Sequence, residues 1–373
     1  SDDPDDLAGF AAAADQIGYP VMVKAAGGGG GKGIRVVRNP ADLAAALATA
    51  RREADHAFGD PRVFLERYIE AARHIEIQVF GDTHGQIVHL YERECSAQRR
   101  HQKIVEESPS PLLDDAARAQ MGAAAVAAAR AVGYVNAGTV EFIATPAREF
   151  YFLEMNTRLQ VEHPVTEFVT GVDLVKLQFA VAAGEPLPFT QAEVSQRGHA
   201  IECRLYAEDP QSGFLPATGK LARFVPPEGP GIRVDAGVRS GDTITIHYDP
   251  LIAKLIVHER TRTAAIERMI AALAATIILG TTTNRDFLLA LLKHPAFVAG
   301  TVDTGFIEAH LAELLPDPAE DQGPDPALVD LAMIAAALHD AASRSSAPTQ
   351  AGPAQPPDPW ARADGFRLGG ASD

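Results

Sequence analysis

The sequence predicts an α+β fold, and three observations carry that expectation. His74-Ile75-Glu76-Ile77-Gln78-Val79-Phe80 alternates polar and apolar residues with period two, the signature of a strand. Capped, Ala-rich stretches such as the one after Asp114 read as helices. From about Gly198 the chain changes character, to short strands separated by Gly and Pro turns. A length of 373 residues allows one large domain or two to three ordinary ones, and 46% hydrophobic residues can fill a real core. Lys and Arg number 33 against 49 Asp and Glu, a net charge of −16. That balance argues against a broad nucleic-acid surface but leaves room for a small anion held by a few cations. Two cysteines, Cys95 and Cys203, cannot build a disulfide framework or a four-Cys zinc site, and both read as reduced thiols of an intracellular protein. No apolar stretch approaches the roughly 20 residues of a membrane span. The opening Ser1-Asp2-Asp3-Pro4-Asp5-Asp6 lacks the basic and apolar regions of a signal peptide.

Taken in order, Ala8 to Gly18 has the spacing of a short helix ended by glycine. Tyr19 to Lys24 reads as a strand, and after the glycine run Ile34-Arg35-Val36-Val37 is extended again. Asn39-Pro40 supplies a cap and first turn for a helix from Ala41 to about Phe58, stopped at Gly59. Val63 to Ile69 is a strand or hinge. The 74–80 strand turns at Gly81-Asp82-Thr83-His84-Gly85 and returns over Gln86 to Tyr91, after which Glu92 to Glu107 is densely polar. Asp114 caps a helix that ends at Gly133. Thr139 to Thr145 and Phe150 to Met155 make a hairpin around Pro146, and Asp173 to Ala183 is helical. Beyond Gly198, strands are expected at His199–Tyr206, Gly219–Phe224, Gly231–Val234, Thr243–Ile246 and Ile252–Val257. Helices follow from Arg262 to Thr276, from near Asn284, and from Pro326 to Ala342. Ser343 to Pro357 has the composition of a linker, and Trp360 looks like the first strand of a further domain.

Gly27 to Gly31, followed by Lys32-Gly33, can be a phosphate cradle or a flexible linker. Without Cβ atoms, several N–H groups can approach one anion. Gly33 stands where a Walker loop needs Ser or Thr, and Ala26 where it needs its first Gly. Gly28, Gly30 and Gly33 satisfy G-x-G-x-x-G, but a β-branched strand follows rather than a helix. Strand, glycine loop and strand, with Lys24 and Lys32 on either side, favour a hairpin flap that closes over a nucleotide.

In the 139–155 hairpin, antiparallel strands let Glu141 and Glu154 face each other, with Asn156 two residues on. Two unpaired carboxylates repel, and a divalent cation removes that cost; Mg²⁺ takes one or two carboxylates plus substrate phosphates. Alone, the hairpin is better read as solvated acids; beside a glycine flap, the metal reading wins. Arg158, Gln160 and Glu162 would share a face if the chain stays extended, so Arg158 could hold an oxyanion and Glu162 act as a base. Upstream, Gln98, Arg99, Arg100, His101 and Lys103 form either a solvated charge run or a cationic patch for phosphates or a small anion.

These segments together closely resemble the biotin carboxylase branch of the ATP-grasp superfamily. The resemblance rests on Lys24-Ala25-Ala26 with the glycine loop, Arg73–Gln78, Gln98–Lys103, Glu154-Met155-Asn156-Thr157-Arg158 through Pro164, Ile201-Glu202-Cys203-Arg204 through Asp209, and His247-Tyr248-Asp249-Pro250. It runs from residue 1 to about 312, with motifs in order and spacing. His247–Lys254 and Gly280–Arg285 look most like α-subunits of acyl-CoA carboxylases of the propionyl, methylcrotonyl or geranyl type.

The resemblance implies an ATP-grasp fold followed by a biotin carboxylase C-terminal subdomain of mostly antiparallel sheet with helices. It divides the chain into a lid subdomain over 1–70, a core over 71–190, a C-terminal subdomain over 191–315, a helix and linker over 316–357 and the start of a subunit-coupling domain over 358–373. It implies ATP-dependent carboxylation of biotin by bicarbonate through carboxyphosphate. Lys24 and His101 would contact phosphates under a flap of Gly28, Gly29, Gly30, Gly31 and Lys32. Glu66, Arg67 and Ile69 would line the adenine pocket, with His74 and Gln98 near the ribose; Arg67 replaces a frequent Lys but keeps a donor. Glu141, Glu154 and Asn156 would serve Mg²⁺ or Mn²⁺. Lys103, Arg158, Gln160 and the Val161 backbone would hold bicarbonate, Glu162 would deprotonate it, and Arg158 and Arg204 would stabilise the biotin enolate. The implied partners are a biotin carboxyl carrier domain, a carboxyltransferase subunit and a further copy of the chain, with no nucleic acid and no membrane. The implied location is the cytoplasm, or the mitochondrial matrix in a eukaryote. The family's leading Rossmann-like subdomain and a biotin-acceptor Met-Lys-Met are not found in these residues, so a piece of a longer catalytic unit is expected. The alternatives are a nucleotide-binding fragment without turnover and another ATP-grasp carboxylate or bicarbonate ligase.

Overall fold

A computed structural model describes residues 6–27, 34–315 and 326–345. The predicted flap residues Gly28–Gly31 and Lys32 lie outside the described residues, as do 346–357 of the predicted linker and 358–373. The chain divides into two compact units, one ending at Leu315 and one beginning at Pro316. In the second, a helix spans Pro326–Ser345 and leaves Leu331, Ile334 and Leu338 exposed. It continues into Ser343–Ser345, which composition had assigned to the linker.

In the first unit, Val21, Val23 and Ala25 alternate to the buried side of strand β1 (Val21–Ala25). Strand β1 pairs antiparallel with both β2 (Arg35–Val37) and β3 (Val63–Arg67), giving the order β2-β1-β3. Helices α1 (Leu7–Ile17) and α2 (Leu43–Phe58) complete a separate core of Phe10, Leu43 and Leu47 against Val23, Val37 and Val63. Asp6 caps α1 by accepting from Gly9 N–H, and Gly59 ends α2 at φ 68°, a left-handed conformation that glycine adopts without Cβ strain. The predicted Asn39 cap is not made: Pro40–Asp42 forms a 3₁₀ turn, and α2 starts at Leu43.

An eight-stranded sheet carries the rest of the unit. Its strands are β4 (Arg73–Gly81), β5 (Ile87–Arg99), β6 (Gln102–Ser108), β7 (Asn136–Ala144), β8 (Phe150–Asn156), β9 (His199–Tyr206), β10 (Ile232–Ala236) and β11 (Leu251–Glu259). Their order is β10-β11-β9-β6-β5-β4-β7-β8, and every pairing is antiparallel. The β6–β9 pairing therefore joins strands from before and after residue 190 in one ladder. Helix α3 (Asp115–Ala131) packs Met121 and Ala125 on Ile75, Ile77 and Val140, with Asp114 capping it as predicted. Gly122 permits the approach to β5, because a Cβ there would sit 2.6 Å from His89 Nε2. Helices α5 (Arg262–Ala275) and α6 (Arg285–Lys293) close a second core over β9 and β11 through Met269, Leu273, Leu288 and Leu291. Helix α4 (His163–Thr170) lies on the other face of those strands, Val165 and Val169 against Ala200 and Ile256.

One sequence expectation fails here, the single cationic patch, and burial is the reason. The densely polar Glu92–Glu107 forms most of the long β5–β6 hairpin, where Glu92, Arg93, Glu94, Glu106 and Glu107 are buried. Arg99, Arg100 and Lys103 do not form one cationic patch. Arg99 pairs with Glu208 at 2.9 Å and stacks over Phe214, Arg100 is an exposed turn residue, and Lys103 faces inward. Charged residues that satisfy one another across a sheet carry the same letters as charged residues in water.

Candidate active site

Glu76 of β4 stands directly opposite Glu141 of β7, and Glu141 directly opposite Glu154 of β8. Three carboxylates in a row across a sheet repel unless cations intervene. Lys103 supplies one. Its ammonium lies 2.5 Å from Glu76, 2.9 Å from Glu141 and 2.7 Å from Glu162. Arg93, with no solvent exposure, supplies another, donating to Glu76 at 2.5 Å. Its remaining N–H groups reach Gln78 at 2.8 Å, Thr166 at 2.9 Å, Gln160 at 3.1 Å and Thr139 at 3.2 Å. Burial pushes Glu76 up, but Arg93 and Lys103 outweigh it and hold the carboxyl at about 2. Burial likewise pushes Glu141 up, while His74 and Lys103 bring it well below the usual carboxylate range. Burial pushes Lys103 down, and the surrounding acids reverse this, so the ammonium remains charged in a nearly dry setting.

Residues 157–162 form a loop rather than the extended strand the sequence suggested. Helix α4 starts at His163 with Pro164 in its first turn, so the chain has to bend before it. The bend separates side chains expected on one face. Gln160 turns inward, donating to Glu141 at 2.9 Å, and Glu162 lies buried against Lys103. Arg158 stays exposed, reaching Asn156 and the Leu159 carbonyl at 3.4 Å each. Lys254 of β11 donates to the Val161 carbonyl, so the large sheet holds the loop backbone in place.

Glu162 is the meeting point of two cations. Its second oxygen lies 3.0 Å from Arg204 Nη2, and Arg204 in turn grips Glu106 at 2.5 Å. A buried carboxylate held between an ammonium and a guanidinium, at the edge of a cluster with an open rim, has the arrangement of a base next to an anion site. Burial pushes Arg204 down, but Glu106 and Glu162 raise it beyond its ordinary value, so its charge is permanent.

The metal pair divides unequally. Glu141 Oε1 accepts from Lys103, Asn156 and Gln160, each at 2.9 Å, and its Oε2 lies 2.9 Å from His74 Nε2. Among the described residues Glu154 has only Asn156, at 3.5 Å. The donors are all oxygens or a reversible amide on one face of a hairpin, which fits a hard, oxygen-preferring cation such as Mg²⁺. Glu154 is the open carboxylate; Glu141 would exchange protein donors for the ion.

The remaining predicted residues lie around this centre. Gln98 is buried opposite Lys103 in the β5–β6 ladder, and His101 is at the exposed tip with φ 66°. On the small sheet, Lys24 pairs with Glu66 at 2.9 Å, Arg67 is exposed and Ile69 half-buried. Sequence reasoning singled out neither Glu76, Arg93, Glu106 nor Lys254 as site residues. The period-two pattern does carry the first, since His74, Glu76 and Gln78 share one face of β4.

Residues 2–190 match the family profile described as carbamoyl-phosphate synthase L chain, ATP binding domain, and residues 202–309 match the biotin carboxylase C-terminal domain. Methylcrotonoyl-CoA carboxylase subunit alpha, mitochondrial, of Rattus norvegicus is 52% identical over 304 residues, 81% of this chain and 42% of that protein. A biotin carboxylase of Halalkalibacterium halodurans is 51% identical over 298 residues, 80% of this chain and 66% of that protein. The chain thus spans less than two thirds of these curated relatives. Among solved structures, the biotin carboxylase domain dimer of 2-oxoglutarate carboxylase from Hydrogenobacter thermophilus, in complex with MgADP, ADP and bicarbonate, superposes with a TM-score of 0.81 at 46% identity, covering 84% of this chain and 69% of that one.

Proposed function

The chain belongs to the biotin carboxylase branch of the ATP-grasp superfamily, and from that premise we propose that it carries the ATP-dependent carboxylation of biotin by bicarbonate, the first half-reaction of an acyl-CoA carboxylase. The observation that supports this most is Glu162 held between Lys103 and Arg204. Bicarbonate is a poor nucleophile. Placed between those cations, its anion is neutralised while Glu162 takes its proton, and the deprotonated oxygen attacks the terminal phosphorus of ATP, whose bond to the bridging oxygen breaks to release ADP and leave carboxyphosphate. Gln160 and the Val161 backbone would orient the bicarbonate, and Lys254 and Arg93 keep both in register through the contacts above. Once carboxyphosphate has broken down, Arg204, with Arg158 swinging in from the exposed loop, would stabilise the developing biotin enolate as it attacks CO₂.

Lys24, His101 and the Gly28–Gly31 and Lys32 segment would hold the ATP phosphates, Glu66, Arg67 and Ile69 the adenine, and His74 and Gln98 the ribose. Glu141, Glu154 and Asn156 would hold Mg²⁺, which when bound neutralises phosphate charge. The division into 1–70, 71–190 and 191–315 would then be lid, core and biotin-facing parts. The partners proposed are a biotin carboxyl carrier domain, a carboxyltransferase subunit and a second copy of the chain; the Hydrogenobacter relative is described as a dimer. Among the described residues no helix is long and apolar enough to cross a membrane. Two buried free thiols, Cys95 and Cys203, agree with a cytoplasmic or matrix location.

The test is ATP cleavage with bicarbonate and free biotin. Turnover should need bicarbonate and rise with biotin; ATP cleavage indifferent to both would assign the chain to another ATP-grasp ligase.

A further inference from the structure

Glu106 and Glu202 are direct cross-strand partners on β6 and β9, and neither has any solvent exposure. Opposed Cβ atoms in such a pair lie roughly 4.5–5.5 Å apart, so two carboxyl groups share one small volume. Arg204 donates to Glu106 Oε1 at 2.6 Å. Glu106 Oε2 and both oxygens of Glu202 have no hydrogen-bond partner among the described residues. The helix over this face offers Val165 and Val169 against Ala200 and Ile256, an apolar lining.

We propose that Glu106 and Glu202 form a buried acid pair that retains one proton at neutral pH, with Glu106 the carboxylate that positions Arg204 and Glu202 the neutral acid behind it. The charge belongs on Glu106, because its oxygen touches the guanidinium. A second charge would find no free cation. Lys103 on β6 is shared among Glu76, Glu141 and Glu162. Lys254 on β11 serves the Val161 carbonyl and lies 3.6 Å from Asp235. Arg204 on β9 already bridges Glu106 and Glu162, and helix α4 presents only His163 and Glu167, which lie 3.9 Å from each other. Burial pushes both acids up, and Glu106 adds to the rise at Glu202.

The pair stands on geometry alone; its link to turnover rests on the role proposed for Arg204. Loss of the retained proton at alkaline pH would place an extra negative charge beside Arg204 and weaken its hold on a developing oxyanion. A carboxyl raised by folding contributes stability fully present below its unfolded pKa and lost as pH rises through the folded one. Glu202→Gln, which copies the neutral acid, removes that loss.

Infrared difference spectra and thermal midpoints of the full chain, taken through a pH titration, test the pair. The wild type should show a protonated carboxyl C=O band at neutral pH that Glu202→Gln lacks. The midpoint of Glu202→Gln should fall less than that of the wild type on the alkaline side, and the alkaline limb of kcat should move to higher pH with KM for ATP unchanged. Glu106→Gln, which strips Arg204 of a partner, should lower the midpoint at every pH. An unchanged band in Glu202→Gln, or wild-type pH dependence of its midpoint, overturns the proposal. A wild type that shows the band but no bicarbonate-dependent turnover counts against the functional reading and leaves the pair intact.

Discussion

The large sheet and the small sheet treat charge in opposite ways. In the large sheet, Lys103, Arg93 and Arg204 each touch at least two buried partners, and the carboxylates between them have almost no exposure. In the small sheet, Lys24 pairs with Glu66 and lies over the Phe64 ring, and the side chains of the ion pair are 19% and 39% exposed. Exposed pairs contribute about 0–1 kcal/mol, whereas breaking a buried pair removes several. The difference teaches where the chain is preorganised. The large sheet has its charges already paired within the protein, and the small sheet keeps its own near water, free to change partners.

Four substitutions break or sharpen that contrast. Lys103→Met strands Glu76, Glu141 and Glu162 together without their shared cation, and should destabilise the fold by about 3–5 kcal/mol as well as abolish turnover. Denaturant unfolding reads this, and a change under about 1 kcal/mol would mean the cluster tolerates rearrangement. Glu162→Gln keeps the shape but not the base. It should lower bicarbonate-dependent turnover by roughly 10²–10⁴-fold while nucleotide binding persists, and normal turnover would remove Glu162 from that role. Glu154→Gln acts at the rim, where the side chain has a single long contact among the described residues. It should weaken Mg²⁺-dependent nucleotide binding by about tenfold, near 1.4 kcal/mol, measured by calorimetry at varied Mg²⁺; unaltered metal dependence would take Glu154 out of the ligand set. Lys24→Ala should change stability by less than about 1 kcal/mol, yet raise KM for ATP. A large loss of stability there would erase the distinction between the two sheets.

What could be read in the sequence follows the same division. The hairpin acids Glu141 and Glu154 are adjacent as expected, but not through the turn alone: a one-residue register shift between Phe142 and Glu141 brings Glu154, rather than Leu153, opposite Glu141. Strand His199–Tyr206 has the predicted limits, since the short apolar alternation between turns leaves little choice. The β5–β6 hairpin was not legible. Its Glu and Arg residues find partners on β4, α3 and β9, far along the chain, and composition alone cannot show those pairs. Arg158, Gln160 and Glu162 were identified as a group, but their fan-shaped arrangement depends on α4 beginning at His163, which the β-rich pattern around them concealed. Arg93 gave no local sign. Its importance comes from five partners that lie 15 to 73 residues away.

One feature of the large sheet reaches beyond chemistry. Strands β6 and β9 are neighbours across a seam, and the chain enters β9 through the 183–198 connection. Glu107 adds to the seam, binding His199 at 2.7 Å and Arg262 at 2.7 Å, and Arg73 reaches across to the Gly300 carbonyl at 2.8 Å. These contacts tie the two sides together independently of the connection. A protease nick in that connection should leave two interlocked pieces, and the same two pieces made as separate polypeptides should find each other and rebuild the ladder, a split protein whose reassembly would report on encounters between whatever is fused to its halves.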